Sequence, residues 1–238
     1  MQQLRGNRIS IIFQQPTACL NPVYNTEYQL AEVYRIHQRL KRRVGRERAL
    51  ELLQKVGIPD PERRLKAFPH ELSGGQRQRV VIAGALVLEP HVLLADEPVS
   101  MLDVSIRAEI LHLLRELERK RGISVIFITH DLGTVAYFAD RVAVMYLGRI
   151  VEVGPTLEVL QHPLHPYTRA LLSVVPVPNP RLRRQRIILQ GETPNPINPP
   201  SGCRFHPRCP VAEPRCKEQD PPYVKVGEEG HEAACLLL

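Results

Sequence analysis

Apolar residues along the chain follow two periods. Short continuous runs, Arg8 to Phe13, Val92 to Ala95, Ile123 to Ile128, Val142 to Tyr146 and Ile150 to Val153, have the length and β-branched content of buried strands. Between them the period changes to 3.6: Ile106, Ile110, Leu113, Leu114 and Leu117 recur at helical spacing within Ser105 to Arg121, giving one apolar and one charged face. Gln29 to Lys41 and Arg46 to Val56 also read as helices, and Gly57-Ile58-Pro59-Asp60-Pro61 as a break. A further helix is predicted from about Gly74 to Leu88, with Pro90 turning the chain into the next strand. Strands separated by helices predict an α/β fold on a mostly parallel sheet, and no internal repeat interrupts the pattern.

Two segments on this frame carry chemistry. Ser73-Gly74-Gly75-Gln76 opens the helix after Leu72. A Ser-Gly-Gly turn at a helix start exposes unpaired backbone N–H groups at the positive end of the helix dipole, with no Cβ in the path of an approaching anion. Asp96-Glu97 ends the Val92 to Ala95 strand, 23 residues after Ser73. The first carboxylate suits Mg²⁺ and the second suits orientation of an attacking water.

Together these resemble the signature motif and Walker B strand of an ABC-type ATPase. Three further positions match that family in order. Gln14, after the Ile11-Ile12-Phe13 run, stands where the family has its Q-loop glutamine, which touches Mg²⁺ and water and senses the membrane partner. Ser100-Met101-Leu102-Asp103 resembles the D-loop that crosses the dimer interface, with Met101 where a small residue is more usual; Asp103 also suits a plain helix N-cap. Thr129-His130-Asp131, 33 residues past Glu97, matches the switch histidine that contacts the γ-phosphate. The resemblance implies ATP and Mg²⁺ as ligands, with Glu97, His130 and Gln14 catalytic, Asp96 and Gln14 at the metal, and Ser73, Gly74, Gly75, Gln76 and Asp103 at the nucleotide. It also implies a second ABC ATPase subunit, as homo- or heterodimer, beneath two membrane permease subunits, and indirectly an extracytoplasmic solute-binding protein.

No segment reads Gly-x-x-x-x-Gly-Lys followed by Ser or Thr, the Walker A loop that the family carries upstream of its Q-loop, and 13 residues precede Gln14. The expectation is a P-loop-NTPase-like ABC nucleotide-binding domain shortened at its N-terminus, lacking the Walker A portion. Two functions follow: an ATPase subunit in its own right, or a non-catalytic partner that donates only the signature turn to another chain's ATP.

The chain has 238 residues, is 43% hydrophobic and 24% charged, and carries a formal charge of +7. That is ordinary globular material. The apolar runs fall short of the ~20 residues needed to span a bilayer, and Met1 to Gly6 lacks the apolar core of a signal peptide, which points to the cytoplasmic face of a membrane. Clusters at Arg39, Lys41, Arg42, Arg43, Arg46 and Arg48, and at Arg181, Arg183, Arg184 and Arg186, invite nucleic acid. Aromatic content of 5% leaves few rings to stack bases, and no coiled-coil or zinc-finger insertion of the DNA-repair relatives is present. The reading is no nucleic acid, with the basic surface facing lipid headgroups or permease loops.

Past Gly154 proline punctuates the chain at Pro155, Pro163, Pro166, Pro176, Pro178 and Pro180. Gln161 to Thr168 and Gly202-Cys203-Arg204-Phe205-His206-Pro207-Arg208-Cys209-Pro210 closely resemble the C-terminal extension of oligopeptide and dipeptide transporter ATPases. Expected boundaries are therefore an ABC ATPase domain at 1–154, with a helical and signature subdomain at about 25–88, and the extension at 155–238. Peptide uptake is the implied function, with nickel or another small solute as the alternative cargo. Cys203, Cys209, Cys216 and Cys235 crowd into the last 36 residues as C-x5-C-x6-C-x18-C, without the paired knuckles of common zinc sites. Peptide-transporter relatives imply a [4Fe–4S] cluster here; Zn²⁺ and unligated thiols stay open. Cys19, alone in Thr17 to Pro22, reads as a packing residue.

Overall fold

The computed structural model describes residues 4, 6–175, 185–226 and 230–238. The chain divides into two units, Met1–His130 and Asp131–Leu238.

In the first unit, β1 (Ile9–Ile12), β2 (Val92–Asp96) and β3 (Ser124–Ile128) form a parallel sheet in that order. Register sets Ile11, Leu94 and Ile126 on one level and Ile12, Ala95 and Phe127 on the next. Because side chains alternate across a strand, Ile12, Leu93 and Ala95 are buried on one face, while the other carries Ile11, Ile126 and Ile128, each about half exposed. Residues between β1 and β2 are helical: α1 (Pro16–Cys19), α2 (Thr26–Gln38), α3 (Arg42–Lys55), α4 (Pro61–Lys66) and α5 (Gly74–Leu86). Their starts follow capping chemistry. The Asn25 side chain accepts from the Tyr28 N–H at the head of α2, and Pro61 supplies the fixed φ that suits a first helical position in α4. Leu30, Leu53, Leu65 and Ile82 close the core of this helical region. The segment read as a break at 57–61 ends in α4, because Gly57, at φ +70°, turns the chain and the Pro61 start then favours another helix. α6 (Val104–Arg121) buries Ile110, Leu113, Leu114 and Leu117, as its apolar stripe predicts, and stops at Gly122 in the left-handed region.

The second unit holds α7 (Leu132–Phe138), β4 (Arg141–Tyr146), β5 (Arg149–Pro155), α8 (Thr156–Gln161), α9 (Pro166–Ser173), α10 (Arg215–Glu218), β6 (Tyr223–Val226) and β7 (His231–Ala234). Its sheet is antiparallel, in the order β4-β5-β7-β6, which corrects the sequence reading of β4 and β5 as strands of the mostly parallel sheet. The deciding detail is the Leu147-Gly148 turn, with φ +45° and +74°, the sense that matches the twist of a two-residue hairpin. Val144, Tyr146, Val151, Val159 and Phe205 form the core of this unit.

Glu152 on β5 is fully buried and unannounced by the sequence. It accepts from the Leu164 N–H at 2.8 Å, the His165 N–H at 2.9 Å and His231 Nε2 at 2.8 Å, joining β5, the lead-in to α9 and β7. Such a carboxylate is tolerated in a core because its lone pairs are satisfied.

Candidate active site

The first unit gathers its acids and its histidine at the carboxyl ends of the parallel strands, where open α/β sheets place their ligands. Glu97 follows β2 directly. Its N–H donates to the Ile128 carbonyl at 2.9 Å, and its backbone sits at φ +44°, a left-handed conformation that costs a non-glycine residue energy. Gln14 Nε2 donates to one Glu97 oxygen at 2.8 Å, and His130 Nδ1 lies 2.9 Å from the other. When both ring nitrogens carry protons, Nδ1 donates to Glu97 and the Nε2 N–H is left to donate to an anionic ligand. Three predicted side chains separated by 83 and 33 residues thus meet on one carboxylate. Ser100 N–H and Oγ both donate to the Glu97 carbonyl, at 3.2 and 3.1 Å, bracing the turn.

Asp96, last in β2, exposes its carboxylate beside Glu97. Among the described residues no group of three or more His, Cys, Asp or Glu side chains is placed to hold a metal ion. For Mg²⁺ that set is not required, since the ion is usually held by one or two carboxylates with the rest of its shell from water and substrate phosphate. Asp96 fits that role.

The signature turn forms a capping box. Ser73 Oγ accepts from the Gln76 N–H at 3.3 Å, and Gln76 Oε1 accepts from the Ser73 N–H at 3.1 Å. Gly74 lies exposed at the first helical position, where N–H groups have no partner inside the helix. Gly75 is buried. Asp103 is the N-cap of α6, its Oδ1 accepting from the Ile106 N–H at 3.1 Å.

Relatives decide the family. An ABC transporter family model matches residues 1–100, and a model for the oligopeptide/dipeptide transporter C-terminal region matches 151–216. The oligopeptide transport ATP-binding protein OppF of Escherichia coli is 49% identical over 97% of this chain and 69% of its own length. The chain belongs to the ABC ATP-binding proteins of the oligopeptide and dipeptide transporters. The dipeptide transport ATP-binding protein DppF of Haemophilus influenzae is 47% identical over 99% of the chain and 71% of its own. Among solved structures, a dimeric post-hydrolysis ATP-binding cassette, MJ0796, bound to ADP and Pi, matches with TM-score 0.55 and 29% identity over 63% of the chain and 64% of its own. The cbiO1 subunit of Clostridium perfringens, part of the cbiONQ ABC transporter complex, matches with TM-score 0.56 and 37% identity over 65% of the chain and 59% of its own. The chain spans less than two thirds of the length of these two structures. Its ABC nucleotide-binding fold combines a parallel and an antiparallel sheet.

In the peptide-transporter extension the four cysteines converge. The Cys203 N–H donates to the Cys216 carbonyl at 2.9 Å, and Cys203, Cys216 and Cys235 lie near Cys209. Burial pushes the Cys203 and Cys209 thiols up, which favours the protonated form in the absence of a cation. The thiols are within electrostatic range of one another but, as they stand, form no ligand set for a metal. Cys19 corrects its sequence reading: it is exposed on α1, with Sγ donating to the Gln15 carbonyl at 3.4 Å, because α1 is a single turn that buries nothing.

Three of the six basic residues around α3 are ion-paired. Arg43 meets Glu47 at 3.1 Å, Arg46 meets Glu27 at 3.2 Å and Arg48 meets Glu51 at 3.5 Å, a solvated helix face. Arg181, Arg183, Arg184, Pro176, Pro178 and Pro180 lie outside the described residues. No described helix is long and apolar enough to cross a membrane.

Proposed function

We propose that this chain is the ATP-binding subunit of a peptide importer, working at the cytoplasmic face of a membrane with a second ATPase subunit and two permease subunits, fed indirectly by an extracytoplasmic solute-binding protein. The observation that carries the reading is the meeting of Gln14, Glu97 and His130 at the strand ends, beside Asp96. Asp96 would hold Mg²⁺, whose charge offsets that of the phosphates. Glu97 orients the attacking water and draws on its proton, Gln14 holds the carboxylate in place, and His130 with both ring nitrogens protonated donates from Nδ1 to Glu97 and from Nε2 to the terminal phosphate. The exposed Ser73-Gly74 turn, with Gln76 closing its box and Asp103 beside the interface, faces the phosphates of an ATP shared with the second subunit.

Turnover and peptide uptake by the reconstituted transporter test this. Glu97→Gln removes the base while keeping its shape, and turnover falls by about 10² to 10⁴-fold, the usual worth of a positioned general base. Ser73→Arg blocks the donated turn and abolishes turnover. If Ser73→Arg abolishes it and Glu97→Gln leaves it unchanged, the chain donates its turn without catalysing. A complex that hydrolyses ATP in response to nickel and not to peptides overturns the cargo.

For the extension, the finer reading is a [4Fe–4S] cluster on Cys203, Cys209, Cys216 and Cys235. Its support is the donor chemistry of four thiols within the last 36 residues. Anaerobic purification followed by iron and sulfide analysis decides it: a brown protein with about four irons per chain supports the cluster, a colourless zinc protein supports Zn²⁺, and a metal-free protein with reactive thiols supports neither.

A further inference from the structure

The sequence assigns the missing Cβ of Gly75 to phosphate approach, and the structure gives it another use. A Cβ on Gly75 would stand 2.7 Å from Cγ2 of Ile106, about an ångström inside the distance at which carbon atoms attract. Gly75 is buried under α6, and Gly74 meets only Leu102 Cδ2 at the equivalent of 3.9 Å. Ile106 is the residue whose N–H is capped by Asp103, so the same residue touches both segments read as facing the second subunit. One turn further along both helices, Arg79 Nη2 donates to Glu109 Oε2 at 2.6 Å, while its Nη1 donates to the Val56 carbonyl, also at 2.6 Å. Gly75 with Ile106 and Arg79 with Glu109 thus make one seam between α5 and α6.

We infer that Ile106 is a positioning residue, whose β-branch methyl seats on Gly75 and holds the signature turn in register with Asp103. The inference rests on the proposed role of Ser73 to Gln76 as a donated phosphate turn. Ile106 is apolar and offers the nucleotide no group of its own. In a helix the χ1 of isoleucine is stiff, so Cγ2 is a fixed knob that cannot swing aside for a larger residue. Filling the seat forces α5 and α6 apart at the point where Ser73 and Asp103 project.

The test uses the reconstituted transporter, well below the unfolding midpoint of every variant. Gly75→Ala lowers Ser73-dependent kcat/KM by about tenfold or more, as expected for a misplaced group. Adding Ile106→Leu, which removes the branch methyl at constant volume, restores most of it. Adding Ile106→Val, which keeps that methyl, restores none. Equal rescue by both, rescue by neither, or a harmless Gly75→Ala overturns the inference, and rescue by neither returns Gly75 to the anion. If Ser73→Arg leaves turnover intact, the donated-turn reading has failed and Ile106 has nothing to position, while the seat itself is still measured by thermal unfolding of the isolated chain. There Gly75→Ala lowers Tm, Ile106→Leu recovers it and Ile106→Val does not; any other order shows that no such seat exists.

Discussion

Single residues here work under constraints that their identity alone does not show. Glu97 is held at φ +44°, where glycine is comfortable and other residues are not. Glu97→Gly and Glu97→Ala should both abolish turnover, yet the glycine variant should be the more stable by about 1 kcal/mol in urea unfolding, because it alone relaxes the backbone. Equal stability would mean that the turn imposes no strain. Glu152 is the opposite case, a charge sustained by three donors. Glu152→Ala leaves His231 and two backbone N–H groups unanswered in the core, and should cost about 3 to 5 kcal/mol on the same assay.

At the scale of elements, close backbone approach decides how the extension is built. Gly202, at φ +64°, passes so near α10 that a Cβ would stand 2.6 Å from the Cys216 carbonyl, the group that accepts from the Cys203 N–H. Gly202→Ala should therefore loosen the segment that brings the cysteines together, at a cost of about 2 kcal/mol or more. The buried Cys216 thiol should then react with a thiol reagent faster than in the unaltered protein. An unchanged reaction rate would show that Gly202 does not hold that segment. The glycine stands in the motif the sequence reading used for family resemblance, but its physical duty is visible only with α10 in place.

For the whole molecule, stability should depend on pH through His165. Burial depresses this side chain from 6.5 to about 4, with Glu152 nearby opposing the shift, and its Nδ1 accepts from the Tyr167 N–H at 3.1 Å to cap α9. The unfolded chain binds the proton more readily than the folded one, so stability is full above pH about 6.5 and falls as pH drops toward 4. The loss is on the order of 3 kcal/mol across that window. His165→Asn, which keeps a capping acceptor without titrating, should flatten the pH dependence of urea midpoints; an unchanged slope would place the titration elsewhere. The sequence by itself determined the three strands and the longer helices of the first unit, though not the short α1 and α4, together with the Ser73-Gly74-Gly75-Gln76 turn, the Asp96-Glu97 pair, Gln14 and His130, because apolar period, capping residues and motif order are local signals. It also determined the family, through motifs whose chemistry needs those residue types in that order. Tertiary structure alone decided that Glu97 receives both Gln14 and His130, that Glu152 joins three segments, that Gly75 seats Ile106 and that the second sheet is antiparallel. The first three are contacts between residues apart in the chain, where apolar period carries no information about which partner will be met, and the pairing of β7 with β5 and β6 in the second sheet is of the same kind.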